Sequence, residues 1–273
     1  MSRQKAVAWI QSENVAEGRL RARGRLEDRF INGSIVLAGC GALGSHFAEY
    51  FVRSGVQEIT LVDGDTLEPG NLARHVCTFR DIKTKESKAR ALRHRLSVTS
   101  PHATINALSR YLPVSGQKHE EIVGKIGSAD IVFDLTTSRK ALRYLDDVCG
   151  ECDTLLVAAY ISFGATSFCV FSNSSQRTAQ ETEQKLLEPI KRDGIYDEMF
   201  PPAPRERRIT EGTGCWSSTF PAKEYQIAEW VAFAIGQIES YVDENCSSPF
   251  GLVARKEAST DAGLVEIVHR LPE

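Results

Sequence analysis

The stretch Ser34-Ile35-Val36-Leu37-Ala38-Gly39-Cys40-Gly41-Ala42-Leu43-Gly44 decides the fold of this chain, because a short apolar, β-rich run leads directly into a Gly-x-Gly-x-x-Gly turn. Apolar residues at helical spacing follow over residues 45–53, and Ser54-Gly55 is typical of a helix C-terminus. A second buried strand is predicted over residues 58–63, with Asp63 at its end. Strand, glycine turn, helix and a strand that ends in an acid together predict a nucleotide-binding βαβ unit.

The glycine turn indicates where a phosphate group would bind. Gly39, Gly41 and Gly44 allow close approach of the backbone, and the helix after them offers amide donors and the positive end of its dipole. Asp63 follows Gly44 by about 20 residues, a position from which a carboxylate accepts hydrogen bonds from ribose hydroxyl groups. These residues predict nucleotide binding, but by themselves they do not decide between a dinucleotide and ATP.

Composition and charge place the chain among ordinary globular proteins. Hydrophobic residues make up 42% and charged residues 25% of its 273 residues, which excludes the disordered and fibrous classes. The 33 basic and 36 acidic residues nearly balance, so the chain as a whole carries no electrostatic footprint for nucleic acid. No apolar run approaches the roughly 18 residues of a membrane span, and residues 1–30 lack the apolar segment of a signal peptide. We therefore expect a cytoplasmic protein that binds neither nucleic acid nor membrane.

Motifs after the glycine turn narrow the choice of nucleotide. The strand end Asp63-Gly64-Asp65 is followed by the motif Asn71-Leu72-Ala73-Arg74-His75. This motif has no function in a nicotinamide dehydrogenase. Further along, Lys88-Ala89 precedes Leu96 and Ser100-Pro101, and residues 129–138 contain an apolar run that ends in Asp134 and a turn. With these motifs the chain resembles the ThiF/MoeB/ubiquitin-activating superfamily of ATP-dependent adenylating enzymes, over about residues 33 to 159.

The resemblance implies both a fold and a site. The fold would be an α/β, Rossmann-like, doubly wound and mostly parallel sheet with a crossover-loop insertion and a C-terminal helix and hairpin. The residues implied for ATP binding are Gly39, Gly41, Ala42, Leu43, Gly44, Asp63, Asp65, Asn71, Arg74, Lys88 and Asp134. Arg74 and Lys88 would also act catalytically on the phosphates, because cations offset the charge that develops in the transition state.

Some of these positions allow a simpler interpretation. Asp65 could terminate a strand, and Lys88, which lies in a basic stretch, could belong to a solvated helix face. The resemblance implies a magnesium ion near Asp134, but the family's second turn acid is replaced here by Thr137. Either Asp134 is the only protein ligand of the magnesium ion, with water and ATP oxygen atoms completing its octahedral coordination, or adenylation is weak.

A single domain is predicted over residues 1–273. Its parts are an N-terminal arm or helix (1–32), a nucleotide-binding core (33–171), a crossover loop with a cysteine (172–220) and a C-terminal helix with strands (221–273). The polar segment after residue 172 lacks a clear period and a core of its own, which is typical of a lid or binding loop. Within this segment, residues 178–191 could form a helix.

Seven cysteines, an odd number in a chain without a secretory signal, argue against a disulfide framework. Cys149 and Cys152 form a lone CxxC pair that cannot supply four zinc ligands, so no zinc is expected. Cys215 follows a glycine and precedes a predicted helix, a position that can stabilise a thiolate. This part of the chain resembles the activating module of bacterial antiphage conjugation systems, which implies that Cys215 accepts an adenylated C-terminus as a thioester. A buried structural cysteine is the alternative.

The leading hypothesis is therefore an activating enzyme. It would use ATP to adenylate the C-terminal glycine carboxylate of a ubiquitin-like protein, form a thioester on Cys215 and pass the acyl group to a conjugating enzyme. The alternatives are a sulfur-carrier or peptide adenylyltransferase without a thioester stage, and a non-catalytic scaffold of the same fold. The resemblance also implies a homodimer in which an N-terminal arginine reaches the partner's ATP. The candidates for this arginine are Arg19, Arg21, Arg23, Arg25 and Arg29.

Overall fold

The computed structural model describes residues 16–20, 23–82, 86–202, 221–243, 248–256 and 265–271. The strands are β1 (Ser34–Ala38), β2 (Glu58–Val62), β3 (Thr104–Leu108), β4 (Ile131–Asp134), β5 (Leu155–Ile161), β6 (Ser167–Ser172), β7 (Gly251–Lys256) and β8 (Val265–Arg270). The helices are α1 (Glu17–Leu20), α2 (Asp28–Asn32), α3 (Ala42–Arg53), α4 (Lys88–Thr99), α5 (Gln117–Gly127), α6 (Arg139–Cys152), α7 (Ala179–Arg192), α8 (Tyr196–Met199) and α9 (Glu224–Asp243). Two short 3-10 helices, Pro69–Arg74 and Phe79–Asp81, precede α4.

One eight-stranded sheet runs through the described residues, in the order β3-β2-β1-β4-β5-β6-β7-β8. The strands from β3 to β5 are parallel, and those from β5 to β8 pair antiparallel. β1 lies between β2 and β4, and its Ile35 stands opposite both Ile59 and Ile131. The predicted fold class, a doubly wound and mostly parallel α/β sheet, is confirmed.

Hydrophobic layers cover both faces of the sheet because its central strands are apolar on both faces. In β1, Ile35 and Leu37 pack into the layer beneath α3, α4 and α9, whereas Val36 packs into the layer beneath α5, α6 and α7. Phe51 of α3 and Phe133 of β4 meet in the first layer with ring centroids 5.0 Å apart. With helices on both faces, the ends of the strands are the part of the sheet left open for a site.

The first βαβ unit has the predicted order of elements. α3 begins at Ala42, inside the glycine motif, and it ends with Ser54 as its C-cap and Gly55 at φ +115°. The predicted C-terminal helix and hairpin are α9 and the antiparallel pair β7–β8. The lone CxxC pair closes α6, where Cys149 is buried. Among the described helices, none combines the length and the apolar character that a membrane span requires.

The segment after residue 172 contains more regular structure than its composition predicts. α7 covers most of the predicted helix at 178–191, and the Thr178 hydroxyl caps it by accepting a hydrogen bond from the N–H of Glu181. Its buried positions follow a helical period and are Ala179, Thr182, Glu183, Leu186, Leu187 and Ile190. α7 forms no separate core, because its apolar side chains join the hydrophobic layer that covers one face of the sheet. Polar residues at two of the six buried positions hide the apolar period in the sequence.

Polar contacts attach α7 to α6. The Asp146 carboxylate accepts hydrogen bonds from the N–H groups of Ala179 (2.8 Å) and Gln180 (3.0 Å), which a helix leaves without partners at its own start. The buried Glu183 pairs with both terminal nitrogens of Arg139 at the beginning of α6. This half of the predicted crossover loop is therefore part of the scaffold that supports α6.

Candidate nucleotide-binding site

The order of the strands opens a crevice between the ends of β1 and β4. The chain runs from β1 to β2 and β3 on one side and returns to β4 and β5 on the other, so the loops after β1 and β4 separate. Ligands of open α/β sheets bind at this point, outside the carboxyl ends of the strands. A cavity of about 650 Å³ lies here, and its wall includes residues that follow each of the five parallel strands.

Two helix N-termini line this cavity. α3 begins at the glycine loop with Gly41 as its N-cap, and α6 begins after Ser138, whose hydroxyl accepts a hydrogen bond from the N–H of Ala141 (3.3 Å). Gly39 makes the first turn possible, because its φ is +90° and an added Cβ would lie 2.7 Å from the backbone of Leu135. The first N–H groups of a helix lack partners within the helix and carry partial positive charge. The two helix ends therefore suit an anion.

The wall of the cavity contains nine of the eleven residues predicted for ATP binding. They are Gly39, Gly41, Ala42, Leu43, Asp63, Asp65, Asn71, Arg74 and Lys88. The other two, Gly44 and Asp134, are not part of the wall. Gly44 packs behind the loop against the carbonyl group of Gly39, where it has no room for a side chain.

The end of β2 carries the charged rim of the cavity. The Asp63 carboxylate accepts hydrogen bonds from the N–H groups of Cys40 and Asp65, both at 2.7 Å. Burial raises the pKa of Asp63 above its usual value, and these hydrogen bonds oppose the rise. Lys88 Nζ lies 2.8 Å from the Asp65 carboxylate, and the Lys88 side chain is 14% exposed. The interpretation of Lys88 as a residue of a solvated helix face does not fit this position.

The 3-10 helix Pro69–Arg74 brings an amide and a guanidinium to the cavity wall. Asn71 Oδ1 accepts a hydrogen bond from the N–H of Glu68 (3.0 Å), so the amide NH2 of Asn71 is the group left to donate. Arg74 ends the 3-10 helix, and partial burial lowers the pKa of its guanidinium. An arginine fork, a lysine and amide donors are the groups that proteins use to bind phosphate oxygen atoms.

His75 connects this 3-10 helix with the glycine loop. Its Nδ1 accepts a hydrogen bond from the N–H of Cys77 (3.0 Å), and its Nε2 lies 2.8 Å from the carbonyl oxygen of Cys40. Burial lowers the pKa of His75 to about 4, so the imidazole is neutral at pH 7.

The lowered pKa of His75 predicts a pH dependence of stability. In the unfolded chain the imidazole of His75 binds a proton below its ordinary pKa of 6.5, whereas in the native state it does so only below about pH 4. The native state should therefore lose about 1.4 kcal/mol per pH unit between these values, up to about 3 kcal/mol in all. Denaturant unfolding of wild type and His75→Gln at pH 7, 6 and 5 measures this contribution. Parallel profiles of the two proteins would contradict it.

The described residues do not fit a directly bound magnesium ion. Asp134 is 4% exposed, and its Oδ1 accepts hydrogen bonds from the N–H (2.9 Å) and hydroxyl (2.7 Å) of Thr136. Thr137, which stands where the family has its second acid, lines the cavity but offers no carboxylate. Within the part of the chain that the structure describes, no group of three or more His, Cys, Asp or Glu side chains could hold a metal ion. The magnesium role of Asp134 stays a prediction that this placement does not support.

The cavity wall also contains residues that were not anticipated from the sequence, among them Arg110, Tyr111, Ile161 and Phe163. Tyr111 is 67% exposed and lies so close over Gly64 that a Cβ there would be 2.6 Å from the ring. The first two residues follow β3, and Ile161 and Phe163 stand at the end of β5. Their position just after parallel strands is the signal by which they could have been found.

Two of the remaining predicted residues, Cys215 and Arg21, lie outside the residues that the structure describes. Arg29 donates a hydrogen bond to the carbonyl oxygen of Val242 (2.8 Å), which attaches α2 to the end of α9.

The sheet and its crevice define an α/β protein with a candidate nucleotide site. The profile of the ThiF family matches residues 17–231, and the chain belongs to this family. The ATP-dependent ubiquitin transferase-like protein Cap2 of Enterobacter hormaechei subsp. hoffmannii is 26% identical over 229 residues, which are 84% of this chain and 36% of that protein.

Two further comparisons connect the chain with adenylyltransferases and with the fold. The sulfur carrier protein ThiS adenylyltransferase of Escherichia coli is 26% identical over 140 residues, which are 50% of this chain and 53% of that protein. The chain therefore covers less than two thirds of the length of either relative. The crystal structure of E. coli MccB with ATP superposes with a TM-score of 0.57 over 89% of this chain and 65% of that chain. At 15% identity this similarity shows the fold alone.

Proposed function

We propose that this chain binds ATP in the cavity and uses it to adenylate the C-terminal carboxylate of a ubiquitin-like protein. The observation that carries the proposal is the convergence of two helix N-termini, Arg74 and Lys88 on one cavity beside the Asp63 carboxylate. A triphosphate matches the cations and the amide donors, and ribose hydroxyl groups match Asp63. Membership of the ThiF family and the similarity to Cap2 support this combination.

The proposed reaction joins two anions, so the site has to offset negative charge. A carboxylate oxygen of the carrier attacks the α-phosphorus of ATP. The bond from this phosphorus to the oxygen that bridges to the β-phosphate breaks, and pyrophosphate leaves with the electron pair. Arg74 can bind two phosphate oxygen atoms with its planar fork, and Lys88 can follow the pyrophosphate as a point charge.

ATP binding requires Lys88 to exchange the Asp65 carboxylate for a phosphate. The Asp65 side chain is 53% exposed, so the ion pair that is lost contributes no more than about 1 kcal/mol. A charge-assisted contact with phosphate is worth about 1.5–3 kcal/mol, and the exchange therefore favours the nucleotide.

The cavity wall beyond β4 offers a place for the tail of the carrier. Leu135, Ile161 and Phe163 contribute apolar surface to the same cavity as the start of α6. A slender C-terminal tail against this surface would direct its carboxylate towards the anion site at the two helix ends.

The second stage of the proposed reaction uses Cys215. Its thiolate attacks the carbonyl carbon of the acyl-adenylate, a carbon–sulfur bond forms, and the carbon–oxygen bond to AMP breaks as AMP leaves; the thiol proton passes to solvent. A conjugating enzyme then receives the acyl group from Cys215. We also propose that this chain acts as a homodimer. The alternative to the Cys215 stage is adenylation without a thioester, which the similarity to the ThiS adenylyltransferase supports.

Arg74→Ala tests the nucleotide site. Loss of one charge-assisted phosphate contact of about 1.5–3 kcal/mol should weaken ATP binding by about 10- to 100-fold. Calorimetric titration measures the affinity, and ATP–pyrophosphate exchange with a ubiquitin-like protein that ends in glycine measures the reaction. Arg53→Ala is the matched control, because Arg53 pairs with Glu49 on the surface of α3 and is 56% exposed. Unchanged affinity in Arg74→Ala, or tighter binding of NAD than of ATP by the wild type, would contradict the proposal.

A further inference from the structure

His75 stands between the two parts of the cavity wall that carry phosphate-binding groups. It follows the 3-10 helix with Asn71 and Arg74, and it is 5% exposed. Its ring reaches back to the glycine loop, where Nε2 lies 2.8 Å from the carbonyl oxygen of Cys40. One buried side chain thus joins two segments that are 35 residues apart in the sequence.

The hydrogen bonds of the ring define which nitrogen carries the proton. The N–H of Cys77 donates to Nδ1, so Nδ1 is unprotonated. The neutral ring then carries its proton on Nε2 and donates it to the Cys40 carbonyl. The hydrogen bond from the N–H of Cys77 fixes the orientation of the imidazole, and in this orientation Nε2 points at the carbonyl oxygen of Cys40.

The carbonyl group that His75 holds belongs to the same planar peptide unit as the N–H of Gly41. The two groups of a trans peptide point in opposite directions and turn together. The N–H of Cys40, on its other side, donates to Asp63 at 2.7 Å. Glycines flank Cys40 and allow its neighbouring peptides to rotate. His75 and Asp63 therefore set the orientation of the loop that begins α3.

We infer that His75 is a positioning residue, which fixes the position of the glycine loop relative to the 3-10 helix that carries Asn71 and Arg74. The inference rests on the proposed binding of ATP in this cavity. Because this relative position is set before ATP binds, the loop amides and the guanidinium need no rearrangement when a triphosphate enters, and this lowers the entropic cost of binding. Loss of the connection should therefore raise KM for ATP more than it lowers kcat.

The variants His75→Gln and His75→Asn separate this role from a merely structural one. A glutamine NH2 can reach the position of Nε2 and donate to Cys40, whereas an asparagine oxygen replaces Nδ1 as the acceptor for Cys77 but does not reach the loop. We expect the Kd for ATP to stay within about threefold of wild type for His75→Gln and to rise about tenfold or more for His75→Asn. Calorimetric titration gives Kd, and exchange kinetics at varied ATP give KM and kcat.

A second measurement does not depend on ATP. Amide hydrogen exchange of residues 39–43 in the nucleotide-free protein should be faster in His75→Asn than in His75→Gln or the wild type. The comparison is made under conditions well below the unfolding midpoint of each protein. His94→Asn, at an exposed position of α4, is the matched control and should behave as wild type. Equal Kd values for ATP and equal rates of amide hydrogen exchange in the Gln and Asn variants would overturn the positioning role. If hydrogen exchange in the variants follows the expected pattern but the wild-type protein binds no ATP, the proposed function is overturned instead.

Discussion

Replacing Gly44 with alanine is expected to prevent stable folding. The added Cβ would collide with the carbonyl oxygen of Gly39 and lie 2.9 Å from its carbonyl carbon. Both atoms belong to the backbone of the turn between β1 and α3, so no flexible side chain can move aside. We expect a loss of about 4–5 kcal/mol or more, which approaches the whole stability of a typical domain. Soluble yield and the thermal unfolding midpoint measure the effect.

Gly41→Ala is the matched control for this collision. No heavy atom lies within 4 Å of the position that its Cβ would take, and its φ of −78° is open to any residue. We expect its unfolding free energy to stay within about 0.5 kcal/mol of wild type, while ATP binding weakens because the new methyl group stands in the cavity wall. Equal unfolding midpoints for Gly44→Ala and Gly41→Ala would refute the steric explanation.

The first βαβ unit could be predicted because its determinants are local. Between Ser34 and Asp63 the sequence contains a β-rich run, the glycine turn, a helical period and a C-cap, and each acts on neighbours within a few residues. Because β1 pairs in parallel with both β2 and β4, the carboxyl ends of these three strands lie at one edge of the sheet. Arg74 and Lys88, by contrast, were assigned to one site through the family resemblance, and both lie in the cavity wall.

Other features depend on distant contacts and could not be predicted. Glu183 is buried although the surrounding sequence is polar, because Arg139, 44 residues earlier, pairs with it. The acid at position 134 is visible in the sequence, but the hydrogen bonds from Thr136 that engage its carboxylate depend on how the turn folds. A sequence motif names the residue type at a site, whereas tertiary packing decides where the side chain lies.

Cys215→Ala is expected to abolish any thiol-reducible adduct with the carrier and to preserve ATP–pyrophosphate exchange. The exchange reaction requires only the adenylation step, for which the proposed groups lie in the cavity wall, between residues 39 and 163. A thioester requires a sulfur nucleophile, and alanine offers none. Gel analysis with and without reductant, after incubation with ATP and a ubiquitin-like protein that ends in glycine, measures the adduct.

Cys152→Ala provides the control for a general loss of thiols, because Cys152 is partly exposed at the end of α6 and stands outside the proposed chemistry. This variant should keep both exchange and the adduct. An adduct that persists in Cys215→Ala would remove the residue from the reaction. Exchange without any adduct in the wild type, with the same carrier, would leave adenylation intact and place the chain with the adenylyltransferases that form no thioester. The two assays together therefore distinguish the ATP site, which rests on the geometry of the cavity, from the role of Cys215, which rests on the sequence.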